Sequence, residues 1–397
     1  MCCCILSASD ELTANINTSM NKDHKTRVAV LLRGQPRLAT LGGLLYRRTI
    51  QDRFWDVDFR VAAASWDTCT TTMSQTSTDR ILQREFSQTR VSEPLGECLK
   101  NWGPGHVRKC RTSELMRLCH QLFVGVQRYT DISSHWTQGT SSYGIPFPLG
   151  GGGLGTVFAN NIMNDVVQRA DKPSSSGGTR EFVDSVKLEL LQLHYILGQI
   201  YCMGEAYNSY QVWKSDHPLW NPDVIWCTRP DAYSWFPDNA WHKMKTVLKR
   251  KGGIHTSTVR IVDGRPYTSD YNFFATPAEL EHFGNISDNL LDAWANRPEL
   301  LLNLIGCGSN LQHQLWSIVF RNTSIHNLAP SLAPTIENVL RPVDGLEDAV
   351  TDVAVGPTQT NMRLLNEYIS QRYVYPVPNV PADSKLISDT WNDVMSD

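Results

Sequence analysis

Pro222-Asp223-Val224-Ile225-Trp226-Cys227-Thr228-Arg229-Pro230-Asp231 is the stretch on which the fold of this chain turns. Val224 to Thr228 are apolar or β-favouring, so they read as a buried strand. The run stops at Arg229, Pro230 and Asp231, where Pro removes a backbone donor and Asp favours a turn. In an open α/β sheet, ligands bind just beyond the carboxyl ends of the strands. A carboxylate there can hold a divalent metal, and a guanidinium can hold phosphate. Arg229 and Asp231 are therefore the first candidates for chemistry, with an ordinary turn as the alternative.

Working outward, Arg27-Val-Ala-Val-Leu-Leu-Arg33 reads as another buried strand, broken by Gly34-Gln35-Pro36-Arg37. Leu38 to Gln51 has helical spacing, and Phe59 to Ala64 reads as a further strand ending at Ser65-Trp66-Asp67. Strand, helix, strand at this spacing predicts a βαβ unit. The expected class is α/β, a mainly parallel sheet flanked by helices. Phe182 to Val212 gives the strongest helical pattern, with Leu193, Leu197, Ile200 and Gly204 on one face. Gln192 and Gln199, seven apart, also share a face, and Ser215-Asp216-His217-Pro218 ends the helix.

Beyond Asp231 the pattern predicts a helical, Lys-rich segment over 243–251 and a short strand at Val259–Val262. A further strand is expected over 269–275, with Asp270 at its start, then helices over 277–283, 290–295 and 311–320. The organisation expected is a flexible tail over 1–25 and one domain over 26–330. That domain carries an insertion at 68–184, and an extension at 331–397 packs on it. The glycine run over 149–155 follows no clear strand and lacks the Lys-Ser/Thr of a phosphate-binding loop, so it reads as a loop.

The composition suits such a domain: 397 residues, 41% hydrophobic, 9% aromatic, with 12 Trp. A net charge of −3 gives no reason to expect a surface that coats nucleic acid. No run of about 18 apolar residues predicts a transmembrane helix. Met1-Cys2-Cys3-Cys4 lacks the start of a secretory signal, and no amphipathic neighbour supports a lipid anchor there. The 10 cysteines include no Cys-x-x-Cys pair, which argues against a zinc ribbon. Several lie in apolar stretches as free thiols do, so a reducing, cytoplasmic location is expected.

Three strand-end loops open on one sheet edge if their strands are parallel. They offer Arg33, Gly34, Gln35 and Arg37; then Asp67; then Arg229 and Asp231. Cations, an amide and carboxylates on one edge suit a nucleoside diphosphate with Mg²⁺ or Mn²⁺, and Asp270 is a further ligand or base. No Gly-x-Ser-x-Gly elbow seats a serine nucleophile, and no Gly-x-Gly-x-x-Gly follows the first strand. His106 and His120 flank Cys110 and Cys119 at spacings that match no usual metal pattern.

Val28 to Arg37 resembles the opening strand and Gly-Gln-x-Arg of a diffuse glycosyltransferase-like family found in viruses and microbes. Phe59–Asp67, the helix bearing Gln199 followed by Pro222–Asp231, and Ser269–Phe274 resemble its later blocks, in the same order. The resemblance covers about residues 27–67 and 188–325. It implies a GT-A-like (Rossmann-like) fold that binds a nucleoside diphosphate sugar at the strand ends and transfers the sugar to a glycan or other hydroxyl acceptor. It also implies Mn²⁺ or Mg²⁺ at Asp231. Arg33, Gly34, Gln35, Arg37, Asp67 and Gln199 are then donor-binding residues, and Asp270 and Arg229 catalytic ones. This chain departs from the family in having Thr228-Arg229-Pro230-Asp231, one carboxylate where an Asp-x-Asp motif has two. It also has Gln312 and Gln314 where an acidic residue is usual. Whether Arg229 or a metal neutralises the leaving diphosphate, and whether the enzyme inverts or retains, stays open on sequence. The alternatives are a non-catalytic binding protein on a degenerate transferase fold and, less favoured by the acidic charge, a modified DNA base as acceptor.

Overall fold

The computed structural model describes residues 25–36, 38–66, 68–72, 86–90, 95–111, 114, 179–262, 265–296, 315–316, 319–320 and 322–373. The chain opens with β1 (Thr26–Gly34), whose sequence TRVAVLLRG is buried almost throughout. Pro36 and Leu38, the latter at positive φ, turn it into α1 (Ala39–Tyr46) and a wider helical turn at Arg47–Gln51. Next come β2 (Val57–Trp66), a separate antiparallel ribbon of β3 (Thr68–Thr72) and β4 (Phe86–Arg90), the short α2 (Leu95–Cys98) and β5 (Pro104–Cys110). The long helix α3 (Thr179–Asp216) leads to β6 (Val224–Thr228), β7 (Ala232–Trp235) and α4 (Ala240–Lys251). After these the chain forms β8 (Ile254–Thr256), β9 (Val259–Val262), β10 (Arg265–Thr268) and β11 (Phe273–Ala275). It continues with α5 (Glu281–Gly284), α6 (Ile286–Asn296), β12 (Ile325–Asn327), β13 (Ile336–Val339), α7 (Leu346–Val355) and α8 (Gln359–Arg372).

Seven strands form one sheet in the order β12-β8-β11-β6-β1-β2-β5. β1 is parallel to both β2 and β6, and β2 is parallel to β5. β11 alone runs against its neighbours β6 and β8, and β12 is parallel to β8. The expected α/β class and mainly parallel sheet are therefore observed. The two central strands are apolar on both faces because helices cover both, as in parallel sheets generally.

Side chains alternate between those faces. Val28, Val30, Leu32, Trp226 and Phe274 face α4, where Trp241, Met244 and Leu248 complete a fully buried cluster. On the opposite face Arg33 reaches Gln199 of α3. The rings of Trp226, Phe236, Trp241 and Phe274 meet edge-on or tilted at 4.9–6.1 Å for the four pairs Trp226–Phe236, Trp226–Trp241, Phe236–Trp241 and Trp241–Phe274. Such contacts add about 0.5–1.5 kcal/mol each beyond the area they bury.

The segment past residue 330 belongs to this body. β13 pairs antiparallel with β7, placing Glu337 opposite Ser234. Leu340, Leu346, Val350, Val353, Met362, Leu365 and Ile369 build a second core with Leu45, Tyr233 and Trp235. α1 presses so closely on the turn after β6 that a Cβ at Gly42 would lie 2.0 Å from the Pro230 carbonyl oxygen. Glycine at 42 is thus a packing requirement of the Arg229–Asp231 turn.

Candidate functional site

β1 leads on one side to β2 and β5, and β6 leads on the other to β11, so strand order reverses between β1 and β6. A crevice at such a reversal is where open α/β sheets bind ligands. Leu32 pairs with Thr228 there, which brings the loops after both strands to one edge. Ser65, at the end of β2, donates from its hydroxyl to the Gly34 carbonyl at 2.8 Å and ties the third strand end to them.

Arg229 and Asp231 form a bidentate pair: Nε and Nη2 donate to the two carboxylate oxygens, each at 2.9 Å. Nη1 lies 3.6 Å from the Asp270 carboxylate. Asp231 and Asp270 are buried, at 4% and 2% exposure, and Arg229 is partly so, at 18%. Burial works against the Arg229 charge, but Asp231 and then Asp270 outweigh it, so its affinity for the proton is raised. One guanidinium faces two carboxylates. The sequence-level candidates Arg229, Asp231 and Asp270 thus meet in space. Asp270 sits in the turn before β11 rather than on the strand.

Arg33 is the opposite case. It is fully buried. Nη2 donates to the Asp270 carbonyl at 2.5 Å and Nη1 to Gln199 Oε1 at 3.3 Å. Its guanidinium stands 5.0 Å over the Trp316 ring and 5.7 Å over Phe273. Nε has no hydrogen-bond partner, and no carboxylate pairs with Arg33 among the described residues. Aromatic faces and carbonyl oxygens compensate a buried cation only in part. Thr228 Oγ1, at the end of β6, is also buried without a partner.

Of the other expected residues, Gly34 takes φ +129°, a conformation that suits glycine, and its N–H points at the Cys202 sulfur at 3.2 Å. Gln35 is half-buried beside it. Arg37, Asp67, Gln192, Gln312 and Gln314 lie outside the residues whose side chains are described. His106, considered for a metal, pairs instead with Ser209 at 2.8 Å.

Two residues of the site had no signal in the sequence. Asn272 accepts from Trp226 Nε1 at 2.7 Å and donates to Ser234 Oγ at 3.1 Å and to Glu337 Oε1 at 2.5 Å. Glu337, on β13, also accepts from the Ser257 hydroxyl. Burial raises the proton affinity of Glu337, the Ser257 and Asn272 hydrogen bonds oppose this, and the Asp270 charge adds to it. Tyr271, between Asp270 and Asn272, is likewise raised by burial and then by Asp270.

Mn²⁺ or Mg²⁺ fits this donor set only in part. Such ions are held by one or two carboxylates plus substrate phosphates. Asp231 and Asp270 are two, and both lie against Arg229. Among the described residues no three His, Cys, Asp or Glu side chains are grouped as a complete metal site. Among the same residues no helix is long and apolar enough to cross a membrane. Comparison with protein-family models, curated proteins and solved structures finds no match to this chain.

Proposed function

We propose that this protein is a glycosyltransferase of GT-A-like fold, moving a sugar from a nucleoside diphosphate sugar to a glycan or other hydroxyl acceptor. The observation that carries this reading is buried, opposed charge at the carboxyl ends of β1 and β6, where strand order reverses. The two charges divide the work. Arg229 is already shared by Asp231 and Asp270, so it holds those carboxylates in place rather than meeting a phosphate. Arg33, with an unpartnered Nε, is the cation for the donor diphosphate. A bound Mn²⁺ or Mg²⁺ would be held by Asp231 and supply charge neutralisation to the leaving diphosphate. Proton removal from the acceptor hydroxyl needs a carboxylate beside it, and Asp270 is the one nearest the donor residues.

The test is a thermal-shift screen of the full chain with nucleoside diphosphates and their sugars, with and without Mn²⁺. Stabilisation by at least one diphosphate, absent in Arg33→Met, is expected. No shift with any nucleotide would overturn the reading.

A specific observation favours a second reading, a binding protein without turnover: Arg229 takes both oxygens of Asp231. Release of nucleoside diphosphate from a nucleotide sugar, lost in Asp270→Asn with the thermal shift retained, separates the transferase from that alternative.

A further inference from the structure

Cys110 ends the edge strand β5, and Cys202 lies on the face of α3 turned to the sheet. Both thiols are free and fully buried. Their sulfurs are 3.1 Å apart, with the Cys110 thiol donating to Cys202. The Cys202 sulfur also accepts the Gly34 N–H at 3.2 Å, while its own S–H faces the Ala64 carbonyl at 3.3 Å. One sulfur thus joins the carboxyl ends of β1, β2 and β5 through a single helix residue.

We propose that Cys110 and Cys202 are a redox site that closes reversibly to an intramolecular disulfide. The sulfurs need to approach by only about 1 Å to reach bonding distance. Both sulfurs are fully buried, so a peroxide reaches them only when the edge strand β5 opens locally, after which Cys202 attacks and Cys110 resolves. With a peroxide as oxidant, the Cys202 sulfur attacks one oxygen and the O–O bond breaks. Cys202 becomes a sulfenic acid and one water leaves. Cys110 then attacks that sulfur, its proton and the hydroxyl leave as the second water, and the S–S bond forms. Two thiols lose two hydrogens and the peroxide is reduced to two waters. Burial, with the neighbouring Cys202 adding to it, holds the Cys110 proton tightly.

The bond draws the Cys202 sulfur toward β5 and away from Gly34. The Gly34 N–H then loses its partner at the strand-order reversal, and the end of β1 is freed. Oxidation therefore acts on the candidate site from behind, through a backbone donor rather than a substrate contact.

The experiment uses the full chain treated with hydrogen peroxide or with oxidised glutathione, then read by intact mass and by peptide mapping without reduction. The expected result is the loss of two hydrogens, a linked peptide pair containing Cys110 and Cys202, and recovery of both thiols with a reductant. Cys227→Ser keeps the link, and Cys110→Ser loses it. Mapping of the unmodified sequence needs no variant to fold. Three outcomes overturn the proposal: both thiols intact after treatment, a stable glutathione adduct on Cys202 with Cys110 free, or linkage through other cysteines alone. None of these depends on the transferase reading, which the nucleotide screen tests separately.

Discussion

Asp231→Asn removes one charge from a buried pair while keeping the shape of the side chain. Breaking such a pair leaves the partner ion uncompensated, which typically costs about 3–5 kcal/mol. Arg229 keeps Asp270 at 3.6 Å, and the new amide oxygen still accepts one of its hydrogen bonds, so the low end applies. The expected loss is about 3 kcal/mol, a fall in Tm of about 4 °C for a chain of this size. Differential scanning fluorimetry and urea unfolding measure it, with circular dichroism confirming that the variant folds. High salt should leave the difference largely unchanged, because a buried pair is screened weakly. Replacing both partners together (Arg229→Met with Asp231→Leu) removes the stranded charge and should recover most of the loss. If Asp231→Asn lies within about 1 kcal/mol of the parent, or the double variant is the less stable, then buried charge does not govern this turn and the reasoning fails.

Arg33→Met has a different sign. A buried cation with no carboxylate partner among the described residues is replaced by an apolar side chain of similar length, so Tm holds or rises while stabilisation by nucleoside diphosphates is lost. A large fall in Tm would make Arg33 structural instead. Gly42→Ala should destabilise by about 1–3 kcal/mol and weaken nucleotide binding, since the new methyl displaces the Pro230 carbonyl; unfolding and thermal-shift assays on one sample report both. Glu337→Gln tests the buried carboxyl by its pH dependence. The folded state raises this group above its ordinary value of 4.5, so its stabilisation is full below that value and is lost as pH rises through the folded value. Unfolding curves at stepped pH should therefore show the variant gaining on the parent as pH rises from 4.5 toward neutrality, and a constant gap would refute it.

The parts of this fold that the sequence discloses are those with one dominant signal. β1 and β6 are apolar on both faces, as a doubly covered parallel strand is, and their β-branched content and short length favour strand over helix. α3 shows a helical face, and the Gly34 and Pro230 breaks mark the strand ends. Pairing Arg229 with Asp231 is also legible, being two residues apart on one turn. What the sequence hides is half-buried or distant. β5 (PGHVRKC) and β13 (IENV) alternate weakly because they sit at an edge or in a small ribbon. Glu337 reaches the site only through β7, so no local spacing connects it to Asp270 or Asn272. The contact of Cys110 with Cys202 depends on how α3 crosses the sheet, which hydrophobic periodicity does not encode. Arg33 was legible as a strand-end cation, but not as a fully buried one stacked on Trp316.

The β7–β13 ribbon and the core beneath it also set a timetable for synthesis. The residues that cover α1, from Leu340 to Ile369, are made roughly 300 residues after it. β1 likewise waits for β6, since Val28 pairs with Val224. At about 5–20 residues per second, that strand stays without its partner for on the order of ten seconds or more. During this interval RVAVLLR has β2 on one side and an open apolar edge on the other, the kind of edge that holdase chaperones cover and that aggregates when they are scarce. A nascent chain stopped short of β13 should therefore fractionate with chaperones, and release only once the last two helices have left the ribosome.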